Sequence, residues 1–300
     1  MRTSDAVDLI VLAALWGASF LFMRVAAPEF GPLALIEVRV AVAALFLLGV
    51  CAWRRASLPL TRHAGPLLLV GIFNTALPFS LFAYALLSVT AGFASILNAT
   101  SPLWGAVVAH FWLRERLTML RVLGLLIGFI GVSMLVWGKA SFAPGGSGWA
   151  IVAALVASLS YGVAASYTRR ALTDVDALTV ATGSQLGAVL ALAPLALWTW
   201  PSTPVSATAW VGTVALGVAC TGMAYILYFR LIGNVGAARA IAVTFLVPLF
   251  AIAWGGLFLA EPITSQMVLG GLVVLSGTAL STGLIGARAA RRGVTPTRST

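Results

Sequence analysis

Apolar runs of about 20 residues alternate along this chain with short breaks that hold its charges. Split at charges and at Pro/Gly clusters, ten runs emerge: 7–26, 33–52, 66–87, 92–113, 120–138, 148–168, 177–200, 208–231, 237–260 and 266–286. A helix needs about 20 apolar residues to cross the ~30 Å hydrocarbon core of a bilayer. The strands of a membrane barrel would alternate apolar and polar residues over ~10 positions. These runs are continuously apolar and rich in Leu and Ala, so the pattern predicts ten transmembrane helices and an all-α integral membrane protein.

Composition supports this. The 300 residues are 61% hydrophobic and only 9% charged, with mean hydropathy +1.04. A soluble domain carries roughly 25% charged residues and could not cover so much apolar surface. The net charge of +10 does not make a nucleic-acid binder, because the arginines lie in the breaks and form no stripe. They fix orientation instead. With the N-terminus inside, the inner segments hold thirteen arginines: Arg2, Arg54, Arg55, Arg62, Arg114, Arg116, Arg121, Arg169, Arg170, Arg288, Arg291, Arg292 and Arg298. The outer loops hold Lys139 alone, and Arg24, Arg39, Arg230 and Arg239 lie inside spans or at their edges. That bias predicts cytoplasmic termini and a multi-pass protein of the cell inner membrane. No cleavage site follows the first apolar run, which reads as a retained span. Cys51 and Cys220 fall in different runs with no partner at metal-ligand spacing, and read as small packing residues.

The chain writes one phrase twice. "ILNATSPLWGAVVAHFWLRERLT" (96–118) is echoed by "IAVTFLVPLFAIAWGGLFLAEPIT" (241–264). Pro102 matches Pro248, Glu115 matches Glu261 and Thr118 matches Thr264, each 146 residues apart. Gly124 matches Gly270 and Gly131 matches Gly277 in the same register, while Tyr84 matches Tyr228 and Gly92 matches Gly236 at 144. Near the start of each half, "WGASFLFMR" (16–24) resembles "YGVAASYTR" (161–169), with Arg24 opposite Arg169. The expected organisation is a first five-helix repeat at 1–142, a second at 143–287 and a basic cytoplasmic tail at 288–300. Five is odd, so the second repeat must be inverted. Inverted repeats provide two interchangeable conformations and mark secondary transporters. A channel or a non-transporting membrane scaffold is the alternative.

The 5+5 plan, the "WGASF" of the first helix, Arg39 early in the second, and the "LRERLT" and "LAEPIT" endings resemble the drug/metabolite transporter superfamily, specifically its ten-helix EamA-type members. The likeness covers nearly the whole chain. It implies an exporter of small metabolites in the bacterial inner membrane, closest in kind to exporters of aromatic and neutral amino acids. It also implies a central cavity surrounded by helices 1–4 and 6–9, with helices 5 and 10 at the periphery. Within transporters, a nucleobase, sugar or drug carrier is the alternative.

Polar residues inside spans should face a cavity or another helix. The candidate solute-binding residues are Trp16, Arg39, Asn74, Pro78, Tyr84, Asn98, Ser101, Trp104, Tyr161, Gln185, Tyr225 and Thr244. Neutral donors and acceptors mixed with aromatics suit a zwitterionic or neutral organic solute with an apolar part; interhelical hydrogen bonding is the competing role. Asn98, Ser101 and Trp104 are spaced to share one helix face. Arg39 is two residues from Glu37 and should not face it. It binds a solute carboxylate, holds a gate, or snorkels to headgroups.

Pro102 and Pro248 remove backbone donors and free the carbonyls of Asn98 and Thr244, which predicts kinks. Glu115 and Glu261 read as structural acids at span ends, paired with nearby arginines, before helices capped by Thr118 and Thr264. Gly124 and Gly128 form a small-residue surface for internal packing or for a dimer contact, so the oligomeric expectation is a monomer or a weak homodimer.

None of the eight acids lies mid-span, and the first helix has none from Leu9 to Ala27. That is unlike the four-helix multidrug relatives, which rely on a Glu in the first helix. Uniport or exchange is expected, or coupling through Glu37. No Walker loop, dinucleotide fingerprint or His/Cys cluster is present. No enzyme, metal or cofactor is expected; the partners are a small-molecule solute and the lipid bilayer.

Overall fold

The structure, a computed structural model, describes residues 2–283. The basic tail expected at 288–300 lies outside these residues. Every regular element described is helical: α1 (Thr3–Phe30), α2 (Pro32–Trp53), α3 (Thr61–Ala85), α4 (Ala91–Asn98), α5 (Ser101–Leu113), α6 (Met119–Val136), α7 (Gly148–Ala171), α8 (Ala177–Trp198), α9 (Ala207–Val235), α10 (Val243–Leu259) and α11 (Ser265–Ser281), with one further turn at Ala237–Ala240. Seven of them (α1, α2, α3, α6, α7, α8 and α9) are long and apolar enough to cross a membrane, and α10 and α11 are shorter apolar helices. Their outer faces carry Leu45, Phe111, Leu190, Leu257 and Leu272, all largely exposed. Such a continuous apolar exterior matches hydrocarbon and not water.

Local chemistry sets the helix starts. Thr90, Thr118, Asp176, Ser206 and Thr264 each accept a hydrogen bond from the backbone N–H three residues on, at 2.9–3.3 Å, which satisfies a donor the helix cannot. The ends of α5 and α10 are alike. Arg114 and Ala260 both adopt the left-handed conformation, at φ 56° and 52°. Glu115 N then donates to Ala109 O at 3.2 Å, and Glu261 N donates to Gly255 O at 3.1 Å. Each of these pairs is 146 residues apart.

The run at 92–113, expected as one span, is two helices with Ala99 and Thr100 between them. Pro102 sits in the first turn of α5, where a missing N–H costs nothing. Hydroxyls take the carbonyls that the break releases. Thr100 donates to Leu97 O at 2.6 Å, Ser101 to Asn98 O at 2.6 Å, and Thr278 to Ala99 O at 3.1 Å. Pro248 lies inside a continuous α10, with the preceding irregularity at residues 241–242.

Two helices contain π segments, Ile72–Ala76 in α3 and Val218–Met223 in α9, and these also begin 146 residues apart. Such segments bring extra backbone to one face and often sit at functional sites.

The glycines of α6 are consumed within the chain. A Cβ on Gly131 would meet Val274 N at 2.6 Å, and one on Gly124 would collide with the Ser281 and Gly277 backbone. Gly128 faces Leu103 and also abuts Gly277. Close backbone approach of α6 and α11 therefore needs these glycines.

Contacts define the two ends of the bundle. At one, Asp8 at the start of α1 pairs with Arg230 late in α9, Asn234 donates to Asp5 at 3.1 Å, and Glu115 meets Arg169 and Arg121. At the other, late α1 meets the start of α4 and the end of α10 through Arg24, Ala91 and Glu261. These are the Glu115 end and the Glu261 end. The main core is continuous at the Glu261 end, running from Phe20 and Phe30 through Phe82, Leu97 and Leu135 to Ile151. At the Glu115 end the packing divides in two. One cluster joins α1, α9 and α10 through Leu12, Leu231 and Val243; another joins α3, α7 and α8 through Leu67, Leu172 and Val180.

Candidate functional site

Between those two clusters lies a cavity of about 560 Å³, within the usual range for small-molecule sites. Its wall draws on both halves of the chain. Trp16, Arg39, Asn74, Asn98, Ser101 and Pro102 come from the first half, and Tyr161, Tyr225, Tyr228 and Thr244 from the second. The aromatics are organised in pairs. Trp16 and Tyr228 stand with ring centroids 5.2 Å apart, and Phe82 and Tyr161 stack at 6.4 Å. Glu115, Arg121 and Arg169 line the cavity at its Glu115 end, whereas Arg24 and Glu261 are not in its wall.

The buried charge in this wall is Arg39, only 3% exposed. Its Nε donates to Thr221 Oγ1 at 3.0 Å and its Nη1 to the Met23 thioether at 3.4 Å, with the guanidinium 3.8 Å above the Phe79 ring. No carboxylate lies within ion-pair distance of it among the described residues. Glu37 does not neutralise it. That side chain is outside the cavity wall, and its Oε2 is buried without a hydrogen-bond partner. Also in the wall, Asn74 Nδ2 donates to the Tyr225 hydroxyl at 3.4 Å.

Four expected site residues are placed elsewhere. Tyr84 is 44% exposed and borders a separate shallow pocket with Gly31, Leu33 and Thr199. Phe82 lines the cavity in its stead, two positions earlier and thus on the opposite side of the helix. Phe82 and Tyr228 are 146 residues apart, so one offset holds through this helix, and the Tyr84/Tyr228 match is out of register. Trp104, although three residues after Ser101 in α5, turns to α6, where it packs edge-on against Phe129 at 5.0 Å and outside the cavity wall. Pro78 is buried next to the π segment, outside the wall. Gln185 is fully buried behind the wall, where its Nε2 donates to Thr75 Oγ1 at 3.3 Å. Of the cysteines, Cys51 is packed against Thr182, but Cys220 is in the cavity wall.

Sequence reading missed Met23, Phe79 and Thr221. The repeat was the signal that could have found two of them. Phe79 and Tyr225 are 146 residues apart, as are Thr75 and Thr221.

The acids at the two ends differ in setting. Glu261 is 11% exposed; its carboxylate accepts from Ala91 N at 2.9 and 3.1 Å and pairs with Arg24 Nε at 3.6 Å. It holds the start of α4 and ties it to α1 and α10. Arg24 also donates to the Leu86 carbonyl. Glu115 is 32% exposed and meets Arg169 at 2.5 Å and Arg121 at 3.6 Å. His110 holds the Glu115 carbonyl through its Nδ1 at 2.7 Å.

The profile of the EamA-like transporter family matches residues 6–137 and, again, residues 148–283. The chain belongs to the EamA-like transporter family. It is therefore a multi-pass membrane transporter and not an enzyme. Relatives agree over nearly full length. The chain is 27% identical over 283 residues to an uncharacterized transporter, YvbV, of Bacillus subtilis, covering 93% of this chain and 92% of that one. It is 26% identical over 283 residues to a protein of Streptantibioticus cattleyicolor named "probable terminal-alkyne amino-acid exporter", covering 93% and 94%. A crystal structure aligns with 99% of this chain and 100% of its own at TM-score 0.66 and 19% identity, which shows a shared fold.

Proposed function

We propose that this transporter exports small organic metabolites, amino acids among them, by alternating access between two inverted five-helix halves. In this reading ten spans cross the cell inner membrane, both termini are cytoplasmic, and the Glu115 end faces the cytoplasm. The observation that carries it is the asymmetry of the bundle. One cavity, walled by both halves, reaches Glu115 and Arg169 between two separate packing clusters, while the Glu261 end is closed by continuous core and by the Arg24–Glu261–Ala91 contacts. That is the form expected of an inward-facing state. The doubled family match supports two related halves, and the arginine distribution supports the orientation. The amino-acid exporter among the relatives supports the solute class, as does a wall that mixes aromatic rings with neutral polar groups.

The test is counterflow in proteoliposomes with a panel of amino acids, nucleobases and sugars. Saturable exchange of an amino acid is expected. Flux that never saturates would instead indicate a channel and defeat the reading. Strong accumulation driven by a pH gradient and surviving Glu37→Gln would defeat the uniport or exchange form of it.

A further inference from the structure

We infer that Arg39 is the carboxylate-binding point of the cavity, and that the transporter selects solutes bearing a carboxylate beside an aromatic or other apolar body. This rests on the transport reading above and adds the chemistry of recognition.

Three observations lead there. The first is an unspent charge. A guanidinium has five N–H donors in a planar fork that suits a carboxylate's two oxygens. Arg39 uses one on Thr221 and one on a thioether, a weak acceptor, and it has no acid partner among the described residues. A buried charge without a counter-ion is costly to keep, and it opens onto the cavity.

The second concerns the other half of the chain. Gln185 stands 146 residues after Arg39, and Thr221 stands 146 after Thr75. The Arg39–Thr221 and Gln185–Thr75 hydrogen bonds are thus the same contact made twice between the halves, with the donor once from each half, at 3.0 and 3.3 Å. In the second half a neutral amide performs the structural task. The positive charge at residue 39 is therefore surplus to the architecture, which assigns it to whatever enters the cavity.

The third is the absence of a deep acid in the wall among the described residues. Glu115 is the acid in the wall, at its end, and is already engaged by Arg169 and Arg121. Among the described residues, an ammonium group finds no free carboxylate in that wall. A solute carboxylate on Arg39 would leave its apolar body facing Trp16, Tyr161 and Tyr228, with Asn98 as a neutral partner for further polar atoms.

Four matched probes test this: phenylalanine, 3-phenylpropionate, phenylalaninamide and phenethylamine. The readout is ligand-dependent thermal stabilisation of the full chain in detergent, which does not require transport. The two carboxylates are expected to bind at least tenfold more tightly than the amide and the amine. Arg39→Gln, which reproduces the Gln185 contact and should fold, is expected to erase that preference by weakening the carboxylates at least tenfold. Equal binding of phenylalaninamide and phenylalanine to the native protein overturns the inference, and so does a preference that survives in Arg39→Gln. If that variant fails to fold, the native comparison alone decides. Binding of none of the four also overturns it, and leaves alternating access to be judged by the counterflow panel.

Discussion

At the cavity mouth, the Arg169 guanidinium lies 2.5 Å from the Glu115 carboxylate and Arg121 lies 3.6 Å away. The hydrogen bond from Arg169 is the main reason the Glu115 carboxyl is held below the ordinary carboxylate value; partial burial works against it, and the Arg121 charge adds to it. A lowered folded-state value means that ionised Glu115 stabilises the fold above the unfolded value of about 4.3 and loses that contribution as pH falls through the folded value. The pair is solvent-exposed, so its contribution is small. Glu115→Gln is expected to lower the thermal midpoint slightly at pH 6 and to match the native protein once the pH is well below about 4. An equal deficit at both pH values would mean that the side chain matters by shape and not by charge. At this scale much of the cavity lining was readable: Trp16, Arg39, Asn74, Asn98, Ser101, Tyr161, Tyr225 and Thr244 line it as polar or aromatic interruptions of apolar runs. Tyr84 and Gln185 interrupt such runs equally, yet one is turned to the exterior and the other stands behind the wall. Residue type states that a polar group needs a partner; it does not state which side of the helix supplies one.

Helices 146 residues apart in sequence share their devices. The left-handed residues Arg114 and Ala260, the caps Thr118 and Thr264, and the starts of the π segments at Ile72 and Val218 all keep that spacing. α6 and α11 press their glycines together, with the place of a Gly277 Cβ already taken by the Gly128 and Gly124 backbone. Backbone cannot give way as a side chain can, so Gly277→Leu is expected to cost about 1–3 kcal/mol or more, read as a fall in thermal midpoint. An unchanged midpoint would refute the tight α6–α11 contact. The glycine spacing announced a close approach but left the partner open, and only the packed helices identify it as part of the same chain. Likewise Pro102 announced a distortion of the run at 92–113. That it ends one helix and starts another depends on the Ser101, Thr100 and Thr278 hydroxyls that take up the released carbonyls, the last of them from α11.

For the whole molecule, the closed end and the open end make opposite predictions. Ser101 lines the cavity, so a cysteine placed there is expected to react with a membrane-impermeant maleimide from the Glu115 side; the background is Cys220, which also lines the cavity and must first be replaced. Adding Glu261→Ala removes both the carboxylate that accepts from Ala91 N at the start of α4 and the ion pair to Arg24. It is expected to raise labelling from the opposite side severalfold. Labelling from the Glu261 side in the unaltered background, with none from the Glu115 side, would contradict the cavity's direction. Reading along the chain is enough to establish that the protein is helical and apolar, that it writes its second half in the register of its first, and that polar groups such as Arg39 and Asn98 need partners. These follow from local periodicity and from the cost of placing charge in hydrocarbon, both of which are legible residue by residue. That the packing splits at one end and closes at the other emerges from the packed helices alone. They alone also put Phe79 and Thr221 around Arg39, because such contacts join positions far apart in the chain and depend on how whole helices rotate against one another.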